Sequence, residues 1–182
     1  MIKYIIGAIV VILIIVFIVI FNKLVQNKNK VKEAFSTMDV YLKKRWDLIP
    51  ILVEVTKKYA SHEKEVFEKL TELRSKSYDD LSGTEKISSN IELSSNLSKL
   101  LAIAENYPEL KASTNFIDLS KNLSQVEDEI AKSRKYYNGT VRDFNNIIEM
   151  FPTNIVALIC GFKPQKMFEA SSEEKENVKV EV

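Results

Sequence analysis

Residues 4–21 read Tyr4-Ile5-Ile6-Gly7-Ala8-Ile9-Val10-Val11-Ile12-Leu13-Ile14-Ile15-Val16-Phe17-Ile18-Val19-Ile20-Phe21, a run without a charge. A helix over this run is roughly 27 Å long at 1.5 Å per residue, close to the hydrocarbon thickness of a bilayer. A cleaved signal sequence would carry a shorter apolar region followed by small residues at the cleavage site. Here the run leads into Asn22-Lys23-Leu24, with no such site. A core helix of a soluble domain would usually keep a polar face, and this run has none. Residues 1–22 are therefore expected to be an uncleaved transmembrane anchor. The flanks set its expected orientation. Lys3 and the terminal amine lie on one side, and Lys23, Lys28, Lys30 and Lys32 on the other. The heavier basic flank stays inside, so the bulk of the chain is expected at the cytoplasmic face of a cell membrane, with the N-terminus outside.

The rest of the 182 residues is charge-balanced, since the whole chain has 26 Lys+Arg and 25 Asp+Glu. That balance argues against a nucleic-acid partner held by bulk charge. Four glycines and four prolines argue against sandwiches and glycine-loop nucleotide folds. One cysteine, Cys160, excludes an internal disulfide framework or a cysteine-based zinc site, and one histidine, His62, excludes a histidine cluster. No cofactor is expected.

Downstream of the anchor the apolar positions follow helical spacing. Val31, Phe35, Met38, Leu42, Ile49, Leu52, Tyr59, Val66, Leu70 and Leu73 step by threes and fours, with Arg45, Thr56 and Glu63 in the gaps. One long helix is predicted to about residue 75, continuous with the anchor. Pro50 removes a hydrogen bond within it; a kink is favoured over a reversal because the seam keeps its phase. Residues 76–84 read as a loop around Gly83. A second helix is predicted over 85–106, with Ile87, Ile91, Ser94, Leu97, Leu101 and Ala104 on one face. Ser113 or Thr114 caps a third, running to about Met150 through Phe116, Leu119, Leu123, Val126, Ile130, Ser133, Tyr137, Val141, Phe144 and Ile148. A short apolar helix from Ile155 to Cys160, stopped by Gly161, is expected to fold back onto the body. The acidic tail 171–182 is expected to be disordered. The predicted fold is all-α: a transmembrane helix, then an antiparallel four-helix bundle over 23–170 with one very long first helix and a short last one.

The chain resembles the LemA family from the anchor to about Ala170. The resemblance rests on Phe21-Asn22-Lys23-Leu24-Val25, Val31 to Val40, Leu42-Lys43-Lys44-Arg45-Trp46-Asp47-Leu48-Ile49-Pro50, Leu52-Val53-Glu54 and Tyr59-Ala60-Ser61-His62-Glu63. Further matches are Arg134-Lys135-Tyr136-Tyr137-Asn138, Val141 to Asn145, Phe151 to Asn154 and Gly161-Phe162-Lys163-Pro164. Trp46 stands where the family usually has Tyr, Ile51 where Asn is common, and Gly139 where a helix former is expected. The resemblance implies a single-pass bacterial membrane protein with a helical bundle and no established enzymatic activity. It also implies a link, in some relatives, to membrane organisation, magnetosome membranes included.

Few residues carry chemistry of their own. His62-Glu63-Lys64-Glu65-Val66 opens like a zinc protease motif but lacks the second histidine. His62 is instead expected beside the seam, hydrogen-bonded to a neighbouring helix. Asp39 and Asp47 share one helix face loosely enough for an acid/base pair, but no cleft is predicted there. Residues 23–45 hold seven cations and two acids. Lys23, Lys28, Lys30 and Lys32 are close enough to the bilayer to meet anionic headgroups, at about 1 kcal/mol each. Lys43, Lys44 and Arg45 lie some 30 Å farther out on an upright helix and suit intrahelical pairs or an acidic partner surface. Arg45, Glu63, Tyr137 and Asn138 sit on or beside seams and can fix helix register. Trp46, Tyr136 and Tyr137 are core residues, or partner anchors if exposed. Pro50 and Arg134 complete the partner or structural motif candidates. The expected role is a scaffold or adaptor that meets the bilayer, other membrane or cytoplasmic proteins, and a second copy of itself in a homo-oligomer. The alternatives are a membrane-organising oligomer that binds or shapes lipid, and an enzyme with an unrecognised carboxylate site.

Overall fold

A chain with no glycine between Gly7 and Gly83 and no proline before Pro50 has little to stop a helix. In the computed structural model, which describes residues 1–73 and 77–168, the first helix, α1, runs unbroken over Ile2–Lys57. It is followed by α2 (Lys64–Leu73), a 3-10 turn (Tyr78–Asp80), α3 (Gly83–Glu105), α4 (Pro108–Lys111), α5 (Thr114–Glu149) and α6 (Thr153–Ile159). No strand occurs among the described residues. The fold is all-helical with one long N-terminal apolar helix, as expected. The tail at 171–182 and part of the 76–84 loop lie outside the described residues.

Pro50 neither ends nor reverses the helix: α1 continues through it to Lys57. The break comes later, and the expected single helix to residue 75 is corrected here. The Thr56 carbonyl accepts from both Tyr59 (3.1 Å) and Ala60 (2.9 Å), Ala60 is buried, and the chain turns before α2 begins. No glycine or proline stands at this turn. Beyond it the seam shifts by one residue, burying Phe67 with Leu70 and leaving Val66 half-buried.

The second predicted helix begins two residues early. Ser82 and Glu85 form a capping box, in which the Ser82 hydroxyl accepts from Glu85 N–H while the Glu85 carboxylate accepts from Ser82 N–H. Gly83 is thus the first helical residue, not a loop breaker. The buried face of α3 is Asn90, Leu93, Leu97, Leu100 and Ala104, with Asn96 beside it. The predicted face was rotated from this one: Ile87, Ile91, Ser94 and Leu101 are only half-buried. In α5 the expected positions are buried except Leu119, which is half-buried.

The chain divides into two compact units: residues 1–38 with 133–167, and residues 39–132 with Phe168. In the first, Phe35 of α1 meets Tyr137 of α5 with ring centroids 5.8 Å apart. Phe162 meets both Phe144 of α5 (6.4 Å) and Phe21 of α1 (6.1 Å). Phe162 thus joins Phe144 of α5 to Phe21 of α1 through one aromatic cluster. Leu24, Val31, Ala34 and Met38 are buried with Tyr137, Val141, Phe144 and Ile148. The segment after α6 is held on α5 by neutral hydrogen bonds. Asn145 donates to the Gln165 carbonyl and accepts from its N–H, both at 2.9 Å, and the Tyr137 hydroxyl donates to the Lys166 carbonyl. In the second unit the core is Leu42, Trp46, Ile49, Leu52 and Val53 of α1, together with Phe67, Leu70, Leu93, Leu97, Leu100, Leu123, Val126 and Ile130.

Two glycines have opposite requirements. Gly139 is inside α5, and a Cβ there would have nothing within 4 Å. Gly161 has φ of 71° and also has open space around it. Gly139→Ala should raise stability by roughly 0.5–1 kcal/mol through helix propensity, whereas Gly161→Ala should lower it by about 1–2 kcal/mol through left-handed strain. Thermal melts of the full chain in detergent, followed by circular dichroism, check both. Shifts of the same sign would contradict the pair.

Candidate functional site

Among the described residues Arg45 is the largest fully buried side chain, with 0% of its surface exposed. A guanidinium has five N–H donors, and each unmet donor in a core is costly. Here all are used. Nε donates to Asn90 Oδ1 (3.3 Å), and Nη2 to Asn90 Oδ1 and the Asn90 carbonyl, both at 2.8 Å. Nη1 donates to Ser94 Oγ (2.8 Å) and to both carboxylate oxygens of Glu127 (2.8 and 3.0 Å). One side chain of α1 thereby joins α3 and α5. Asn90 is itself oriented by donating to the Lys86 carbonyl (2.9 Å). No donor of Arg45 is left for a ligand, so the arrangement fixes register between three helices.

A second polar cluster lies in the same unit. The Tyr78 hydroxyl donates to Asp39 Oδ1 at 2.6 Å, and the Lys86 ammonium to Asp39 Oδ2 at 2.9 Å. The Tyr78 ring packs against Trp46 (5.5 Å between centroids) and lies near the Lys86 and Lys43 ammonium groups, at 4.6 and 5.5 Å. Burial, the hydrogen bond to Asp39 and that carboxylate's charge push the Tyr78 phenol far above its ordinary range. Burial likewise pushes the Tyr137 phenol up.

The three consecutive cations separate as helix geometry requires. Lys43 and Lys44 are exposed, Lys43 3.6 Å from Asp79, while Arg45 points inward. The expectation that Arg45 serves an intrahelical pair or a partner's surface is corrected: its partners are on α3 and α5. Trp46 and Tyr137 are buried and Tyr136 is exposed, so the first two are core residues and not partner anchors. His62 is exposed in the turn after α1, not on a helical seam as expected. Glu63 is half-buried and accepts from the Tyr107 hydroxyl at 3.4 Å. Pro50, Arg134 and Asn138 are half-buried. Lys23, Lys28, Lys30 and Lys32 are all exposed, with the Lys28 ammonium 5.7 Å from the Phe162 ring centre. Asn90, Glu127, Tyr78 and Lys86 were missed. The available signal was Asn90 in step with Leu93, Leu97, Leu100 and Ala104.

An open groove of about 930 Å³ has Ile49, Val53, Phe67 and Leu70 on its walls and Glu54, Lys57, Glu68 and Glu72 among them. Asp39, Asp47 and Glu63 do not line it. Asp39 is ion-paired to Lys86 and Asp47 is exposed. No group of three or more His, Cys, Asp or Glu placed to hold a metal ion occurs among the described residues.

The LemA family model matches residues 34–182. Protein LemA of Metamycoplasma hominis is 30% identical over 158 residues, 86% of this chain and 72% of that protein. Magnetosome proteins MamQ 2 and MamQ 1 of Paramagnetospirillum magneticum are each 33% identical over 73 residues, 40% of this chain and 27% of theirs. The match therefore spans about a quarter of the length of these magnetosome relatives.

Arg45→Met leaves the buried Asn90 without its partner and the half-exposed Glu127 unpaired, and should cost about 1–3 kcal/mol. The neighbouring Lys44→Ala should stay within about 0.5 kcal/mol of the parent. Denaturant unfolding of the full chain in detergent separates these, and equal losses would refute the register role. Tyr78 gives a pH signature. Its folded phenol keeps the proton where the unfolded one, titrating near 10.0, has lost it. Its contribution is thus complete below about pH 10 and declines as pH climbs through that value. The stability gap between the parent and Tyr78→Phe should narrow above pH 10. A gap that stays constant there would contradict it.

Proposed function

The chain belongs to the LemA family, and from that premise we propose a non-enzymatic, membrane-anchored helical scaffold or adaptor at the cytoplasmic face. The observation that carries this reading is the continuity of α1. Its first part is long and apolar enough to cross a membrane, with the hydropathic window entirely unburied, and the same helix enters a packed core without interruption. Residues 1–22 then act as anchor and residues 23–170 as the recognition body, arranged as an antiparallel four-helix bundle. The register that Arg45 fixes keeps that body's surface constant, which a scaffold requires. Its partners are other membrane or cytoplasmic proteins and a second copy of the chain.

A second reading, a membrane-organising oligomer, draws on the likeness to proteins named for the magnetosome. The four proximal lysines supply its lipid contact, at about 1 kcal/mol per charge near an anionic surface. Crosslinking in native membranes, with crosslinked proteins identified, tests the scaffold. A reproducible partner set or self-contact is expected, and a body that crosslinks to nothing would sink it. Vesicle binding by the full chain with Lys23, Lys28, Lys30 and Lys32 changed to Gln discriminates the second reading. Loss of the preference for anionic lipid supports it, and an unchanged preference removes these lysines from the lipid site.

A further inference from the structure

The short helix α6 was expected to fold its apolar side chains onto the body, and only half of it does. Val156 and Ala157 are buried, whereas Leu158 is 83% exposed, Ile159 69% and Ile155 50%. The spacing 155, 158, 159 places these three on one stripe, opposite the buried pair. Phe151 and Met150, just before α6, are also exposed, at 80% and 60%. Such a contiguous apolar patch on a small protein marks a contact surface.

The position of the patch identifies what it contacts. The Phe162 N–H bonds to the Ala157 carbonyl at 2.9 Å and the Gly161 N–H to the Leu158 carbonyl at 3.3 Å. With Gly161 at positive φ, this is a Schellman closure, and it fixes α6 relative to Phe162. The Phe162 ring rests on Phe21, the last residue of the apolar run, and lies by Lys28, two turns farther along α1. The whole arrangement lies within one compact unit. Phe162 is therefore within roughly 10 Å, along α1, of the end of the span. The charge pattern agrees. The unit of residues 1–38 and 133–167 holds ten Lys and Arg against three acids, Glu33, Asp143 and Glu149, with Lys163 and Lys166 exposed just after α6.

We propose that α6, with Met150 and Phe151, is a second membrane contact: an interfacial helix whose exposed stripe lies in the headgroup and acyl boundary beside the span. Such elements sit roughly 5–10 Å deep, with lysines reaching the headgroups. Anchoring by α1 fixes the chain to the membrane, and α6 fixes the tilt and rotation of its unit, which a single helix does not. The inference rests on the anchoring reading above.

Cys160, exposed and the chain's one cysteine, adjoins the stripe and provides a label position. The full chain is labelled there with an NBD fluorophore and reconstituted in vesicles of phosphatidylcholine and phosphatidylglycerol. The expected result is blue-shifted emission, quenched by shallow spin-labelled lipid and shielded from aqueous iodide. In the double variant Leu158→Glu and Ile159→Glu, lipid quenching should be lost while the chain still pellets with membranes after alkaline carbonate. A parent label open to iodide, on a chain that carbonate does not extract, overturns the interfacial helix alone. A label shielded from both quenchers overturns it too, in favour of a protein contact such as a second copy. Release of the parent chain by carbonate removes the anchor, and the proposal with it.

Discussion

A guanidinium taken wholly out of water constrains everything near it. Arg45 requires acceptors from two other helices at fixed distances, and its five donors leave no slack. Sliding α3 by one residue would remove both Asn90 acceptors; sliding α5 by one would remove the bidentate carboxylate. Apolar side chains in place of Arg45 and its acceptors together could pack as tightly, and the net stability of a buried ion pair over such a joint replacement is small or negative. What the pair supplies is intolerance of other registers. Glu127 stays partly exposed, with 36% of its side chain open to solvent, which lessens the desolvation cost of the carboxylate.

The same interaction explains where sequence reading succeeded and failed. In α5 the buried stripe is apolar or aromatic almost throughout, so hydrophobic spacing found it. In α3 the stripe contains Asn90, and spacing counted over apolar residues settled on the flanking Ile87, Ile91 and Leu101 instead. Arg45 was recognised as a seam residue on α1, but its acceptors are 45, 49 and 82 positions away, beyond any local pattern. The end of α1 was missed for another reason. Tyr59 to Glu63 contains no breaker, and the turn there depends on Ala60 being buried and on the packing of α2, which are tertiary effects. The capping box at Ser82 and Glu85, by contrast, was written locally and was overlooked because Gly83 drew the loop assignment.

The polar ties described in the two units differ in charge. Around Arg45 and Asp39 the chain uses charged groups to set register. In the unit of residues 1–38 and 133–167 the ties described between α5 and the segment after α6 are neutral: Asn145 to the Gln165 main chain and Tyr137 to the Lys166 carbonyl. Neutral hydrogen bonds to backbone depend little on salt or on the potential of a lipid surface, whereas exposed ion pairs depend on both.

That choice has a consequence for the lysines. On the anchored reading proposed above, an acid near the end of the span would neutralise a neighbouring cation and would itself be repelled by an anionic leaflet. The stretches 1–32 and 150–168 contain none, and Glu33 and Glu149 stand at their borders. Yet these stretches are far apart in sequence and come together through Phe162, whose ring meets Phe21 and lies by Lys28. The net charge of +1 over the whole chain therefore describes no part of the surface. It averages a basic end, where an aromatic contact brings two lysine-bearing segments together, with a remainder in which acids outnumber bases, 25 to 19.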